Sequence, residues 1–71
     1  MRYFAIKPES ILKNQISLDA LAEPYVLIHD KRHKMGEIMY AANILARRKG
    51  YKINSFSTAR FYAYLIVEKE S

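Results

Sequence analysis

Met35-Gly36-Glu37-Ile38-Met39-Tyr40-Ala41-Ala42-Asn43-Ile44-Leu45-Ala46-Arg47-Arg48-Lys49-Gly50-Tyr51-Lys52-Ile53-Asn54-Ser55-Phe56 is the stretch in which the chain changes period, and that change decides the fold. Met35, Ile38, Met39, Ala42, Leu45 and Ala46 recur at steps of three and four, the spacing of one helical face. The pattern predicts a helix over about 37–49. Arg47, Arg48 and Lys49 fall in its last turn, where cations complement the negative end of the helix dipole. Gly50 stands where a left-handed residue closes a helix. Asp30 is a candidate N-cap, but Gly36 favours a later start.

From Tyr51 the period becomes two. Tyr51–Phe56 and Arg60–Val67 read as strands joined around Ser57-Thr58-Ala59. The connector lacks Asn-Gly or Gly-Gly, which favours a looser hairpin of three to five residues. In the last strand Phe61, Ala63, Leu65 and Val67 point one way, while Arg60, Tyr62, Tyr64 and Ile66 point the other. The first set is a core stripe for the helix to cover. The second is more aromatic than an ordinary solvated face.

Upstream, Arg2–Lys7 is a short apolar strand closed by Pro8, and 25–29 is a β-branched and aromatic strand entered through Pro24. Between the prolines, Ile11, Leu12, Ile16, Leu18 and Leu21 fit helical spacing, with Ser17 a candidate N-cap. They predict a short helical insert near 9–23. The expected fold is α+β: about four antiparallel strands, with the main helix packed on one face.

The chain has 71 residues, 51% of them hydrophobic and 27% charged, which suits one small domain over 1–71 and excludes a disordered composition. It has no cysteine, so disulfides, thiolate metal sites and cysteine nucleophiles are excluded. No apolar run approaches a membrane span and no signal-peptide core opens the chain. A soluble, cytoplasmic protein without a membrane partner is expected.

The net charge of +5 is unevenly placed. Residues 1–24 are balanced, whereas residues 25–60 carry eight cations against Asp30 and Glu37. Those cations are Lys31, Arg32, Lys34, Arg47, Arg48, Lys49, Lys52 and Arg60. Clustered positive charge concentrates polyanions, so nucleic acid or an acidic protein is the expected partner. The blander alternative is a solvated basic surface.

The run from Ile44 to Ser57, followed by Phe61-Tyr62-Ala63-Tyr64-Leu65-Ile66, resembles a type of short bacterial domain of unknown function. Those domains share a first strand, a helix, a Gly-aromatic step and a closing hairpin. The resemblance covers about residues 37–69. It implies a fold and no activity. This chain has Tyr51 where such domains usually carry Trp, and its 25–29 strand with a basic connector departs from them.

Two chemistries deserve weighing at His29 and His33. On a helix their spacing of four would align them with Glu37 as a metal site, but His29 more naturally ends a strand and the neighbouring cations repel a dication. No metal and no cofactor is therefore expected. Alternatively, two imidazoles beside Asp30 and Arg32, with Arg60 and Tyr62 across the sheet, supply the types for metal-independent RNA cleavage. Loop histidines are more often simply solvated, and there is no phosphate loop or nucleophile elbow. The leading expectation is a non-enzymatic, homodimeric binding or assembly module. Tyr62, Tyr64 and Ile66 would form its dimer or base-stacking face. The alternatives are the small RNA-cleaving enzyme and a purely structural assembly domain.

Overall fold

The computed structural model describes residues 3–70. Strand β1 (Phe4–Ile6) leads into a short helix α1 (Pro8–Leu12), and a 3-10 turn follows at Leu18–Ala20. Strand β2 (Tyr25–Lys31) passes through a second 3-10 turn (Arg32–Lys34) into α2 (Met35–Lys49). Strands β3 (Tyr51–Thr58) and β4 (Tyr62–Lys69) close the chain as a hairpin. Of the predicted first strand, Arg2 lies outside the described residues. Among the described residues no helix is long and apolar enough to cross a membrane.

The class is α+β as expected, but the sheet is mixed. Its order is β1-β2-β4-β3. β4 runs antiparallel to both neighbours, whereas β1 pairs with β2 in parallel, Phe4 opposite Val26 and Ile6 opposite Ile28. The physical reason lies in the connection. The segment 7–24 contains α1 and a 3-10 turn, which is enough chain to cross back and start β2 in the same direction. The predicted insert is thus two short pieces, and Ser17 precedes the second without a side-chain capping bond.

α2 packs on β2, β4 and β3, with α1 beside it. The core beneath it gathers Ile38, Ala41, Ala42 and Leu45 from the helix with Val26, Ile28, Ala63, Leu65 and Val67 from the two central strands. Ile6, Ile11, Leu21 and Tyr51 complete it. The helix starts at Met35, with Lys34 rather than Asp30 at its N-cap. Its buried stripe is centred on Ile38 and Leu45. At 100° per residue Met35, Met39 and Ala46 lie on one flank of that stripe, and all three are exposed, Met39 by 40%. The predicted core face was therefore rotated by part of a turn.

Gly50 ends the helix at φ +72°, and its N–H bonds the carbonyl of Leu45. A residue with a Cβ is strained in that region, so the reversal into β3 needs glycine here. Tyr51 is buried immediately afterwards, and its hydroxyl donates to the carbonyl of Glu23 at 2.6 Å. That bond fastens the start of β3 to the segment before β2. Burial, then the nearby Glu23 carboxylate, raises the Tyr51 pKa above the usual phenol value.

β3 contains a bulge. Ile53 lies opposite Val67 and Ser55 opposite Ile66, which leaves Asn54 as the extra residue. After the bulge Phe56 faces Leu65, on the helix side, while Ser55 and Ser57 turn to the other face. Phe56 is still 44% exposed, because it stands on the outermost strand.

Candidate nucleic-acid interface

Among the described residues, one face of the sheet has no layer over it. Alternation in β2 puts Tyr25, Leu27, His29 and Lys31 there, opposite Glu68, Ile66, Tyr64 and Tyr62 of β4 respectively. Tyr3 joins them, meeting Tyr25 edge to face with ring centroids 6.0 Å apart. A shallow depression of about 380 Å³ is lined by Tyr3, Leu27, His29, Tyr62, Tyr64 and Ile66. Leu27 and Ile66 are half-buried at its centre. Tyr62 and Tyr64 are 59% and 38% exposed. Tyr62, Tyr64 and Ile66 thus share one side of the sheet with Leu27 and His29 of β2.

The two ends of this face differ. At one end the Glu68 carboxylate accepts from the Tyr25 hydroxyl (3.2 Å) and from the Asn54 amide (3.2 Å), linking β2, β4 and β3. The Glu68 charge, together with that hydrogen bond, raises the Tyr25 pKa. At the other end β2 runs out beside the β3–β4 turn. The Arg32 N–H donates to the Phe61 carbonyl at 2.9 Å, and the Ala59 N–H to the Tyr62 carbonyl at 2.7 Å. These two bonds gather Lys31, Arg32, His33 and Lys34 with Arg60 and Phe61. Among the described residues the ion pairs are Lys34–Glu37 (3.4 Å) and Lys13–Glu9 (3.9 Å). Lys31, Arg32 and Arg60 are in neither pair. Asp30 accepts the backbone N–H of Lys31 at 2.8 Å.

The second group of predicted cations is less coherent. Arg47, Arg48 and Lys49 follow one another on α2, so they fan out 100° apart instead of forming a patch. Arg48 and Lys49 line a depression with Asn14, Ser17 and Asp19, against an acid. Lys52 sits opposite Glu68. At fifteen residues α2 is about 22 Å long, so the two cation groups occupy opposite ends of the molecule.

Phe61 departs most from expectation. It belongs to the turn before β4, not to the core stripe, and is 70% exposed. The Arg60 guanidinium lies over its ring, 5.3 Å from the centroid. The signal in the sequence is weak, since Arg60-Phe61 continues the period-two pattern of the strand itself.

The histidines are not brought together. His29 lines the open-face depression, whereas His33 lies in the 3-10 turn and lines another with Arg32, Met35, Arg60 and Phe61. β2 continues past His29 to Lys31, which removes the helical geometry a His29–His33–Glu37 metal site would need. Among the described residues no cluster of three or more His, Asp or Glu side chains is placed to hold a metal.

No family model, curated protein or solved structure matches this chain.

Proposed function

We propose that the protein is a non-enzymatic binding module that pairs with a second copy through its open sheet face and engages nucleic acid through the cations at the end of that face. The observation carrying this is the segregation of groups around the sheet. An apolar, tyrosine-rich centre adjoins one end where Lys31, Arg32 and Arg60 stand clear of the described ion pairs beside exposed rings. Uncompensated cations favour a polyanion, and neighbouring rings favour one that carries bases over an acidic protein.

A second copy suits the centre of the face for reasons of area. Strands of 3, 7, 8 and 8 residues lying about 4.8 Å apart give a footprint of about 400 Å² on each copy, the size of a small and readily reversible interface. A small chain without disulfides also gains stability by covering such a surface. Light scattering at tens of micromolar should return twice 8.3 kDa. Tyr64→Glu should return the monomer, because it places a charge in the centre of the pair. A wild-type monomer would remove the dimer from the proposal.

Nucleic-acid binding should be weak, tolerant of sequence and strongly dependent on salt. Engaging four to six phosphates gives a log–log slope of about −3 to −5. Arg32→Ala with Arg60→Ala should flatten that slope, and Arg47→Ala with Arg48→Ala should flatten it less. Undetectable affinity at ~50 mM salt would reduce the basic end to a solvated surface. RNA cleavage by His29 and His33 is the weaker alternative, because the two rings line separate depressions.

A further inference from the structure

We infer that Arg32, Arg60 and Phe61 form a seat for one unstacked nucleotide of a single strand, its base against the Phe61 ring and its phosphate between the two guanidiniums. The inference rests on the nucleic-acid reading above and gives it a location and a chemistry.

The seat is a depression of about 410 Å³ lined by Arg32, His33, Met35, Arg60 and Phe61. It is open and shallow, so a ligand there lies against the surface and is not enclosed. Its walls present two guanidiniums, an imidazole, a thioether and a phenyl ring, with no carboxylate. A ligand complementary to them is anionic and has a flat π-surface. A nucleotide meets both conditions, whereas an acidic peptide meets only the first.

The ring is available and held in place. Arg60 lies over Phe61, yet 70% of the residue remains exposed, so a flat ligand has ring surface to stack on. The backbone on both sides of the ring is fixed by the Arg32 N–H to Phe61 carbonyl bond and the Ala59 N–H to Tyr62 carbonyl bond. Phenylalanine has only two side-chain torsions, so little further freedom is lost when a base stacks on it. A guanidinium beside the ring is well placed for the phosphate, which it can grip through two N–H donors. Nothing in the fold requires a large apolar side chain at this position, since the core beneath α2 is complete without it. A ligand is a sufficient reason for it.

The test compares a 12-mer of deoxythymidylate, an abasic 12-mer of the same backbone and a 12-residue polyglutamate, all titrated at ~50 mM salt. Wild type should bind the thymidylate strand most tightly. Phe61→Ala should weaken that complex roughly tenfold and leave the abasic one unchanged, since stacking on a ring requires the base. Arg32→Ala and Arg60→Ala should each lower the salt slope by about 0.7 on both strands. Because the protein has no tryptophan, the indole of a Phe61→Trp variant is a sole reporter, and thymidylate should quench it. A thermal melt of each variant confirms the fold. Thymidylate binding that survives Phe61→Ala, with no quenching of the indole, overturns the seat while leaving nucleic-acid binding intact. Equal affinity for polyglutamate overturns it in favour of charge alone. Absence of binding to either strand overturns the functional proposal and this inference together.

Discussion

Ala63, Leu65 and Val67 are sealed beneath α2, whereas Tyr62, Tyr64 and Ile66, interleaved with them on β4, line the side without a covering layer. Both sets share one backbone in the middle of the sheet, paired on both sides. The difference between them is therefore entirely in what the side chains meet. Stability is concentrated on the first face because transfer from water is complete there. The second keeps its rings partly in solvent, with contact area still to bury.

The largest effect should come from opening the sealed face. Leu65→Ala removes a fully buried side chain and leaves a cavity, costing about 2–5 kcal/mol by urea unfolding. On a marginal domain of this size that approaches the whole stability. Tyr64→Glu, one residue away, should cost the monomer about 1 kcal/mol, since a side chain already 38% exposed opens no cavity and loses only part of its burial and strand preference. Similar losses for the two variants, measured as monomers, would dissolve the distinction between the faces.

A smaller effect belongs to Tyr51, where the sealed face contains its one buried phenol. Tyr51→Phe removes the donor to the Glu23 carbonyl and should cost about 1 kcal/mol at neutral pH. The folded-state pKa of Tyr51 is raised, so its neutral form is favoured by folding. That contribution is fully present below the unfolded phenol value near 10 and is lost as pH rises through the folded value. Wild type should thus lose stability above pH ~10 more steeply than Tyr51→Phe. Parallel alkaline limbs would show that the bond does not hold β3.

The smallest effect lies on the open face. Glu68→Gln removes the charge that raises Tyr25, so the Tyr25 phenol should titrate closer to its ordinary value. Tyrosinate absorbance or ring NMR shifts would follow it, with global stability barely altered. An unmoved Tyr25 titration would mean that the Glu68 carboxylate does not stay against it.

Periodicity made the central elements legible. α2, β3 and β4 follow from the switch at Gly50, and the partition of β4 between Tyr64 and Leu65 follows from alternation alone. Alternation in 25–29 also contained Leu27 and His29 as members of the open face, although they were not joined to Tyr64 until the register was known. Strand direction was not legible, because an apolar run of three residues pairs equally well either way and the crossover at 7–24 decides. The place of Phe61 was hidden for a related reason. A turn residue that happens to keep the strand's period is indistinguishable from a core residue until the hairpin closes. The cation run Arg47-Arg48-Lys49 was legible as sequence and misleading as surface, since adjacent helical residues diverge.

The bulge at Asn54 also governs how these molecules behave in a crowd. β3 is an edge strand of eight residues, and beyond Lys52 its stretch from Ile53 to Thr58 carries no charge. A flat, uncharged edge of that length is a template on which further chains add, the route to fibrils. The extra residue bends the strand and sharpens its twist, so a second copy laid along it loses register after a few residues. Asn54 also spends its side-chain amide on Glu68, which keeps the kink anchored to the sheet. One inserted residue thereby protects the uncharged part of the edge that Lys52, near its start, does not reach.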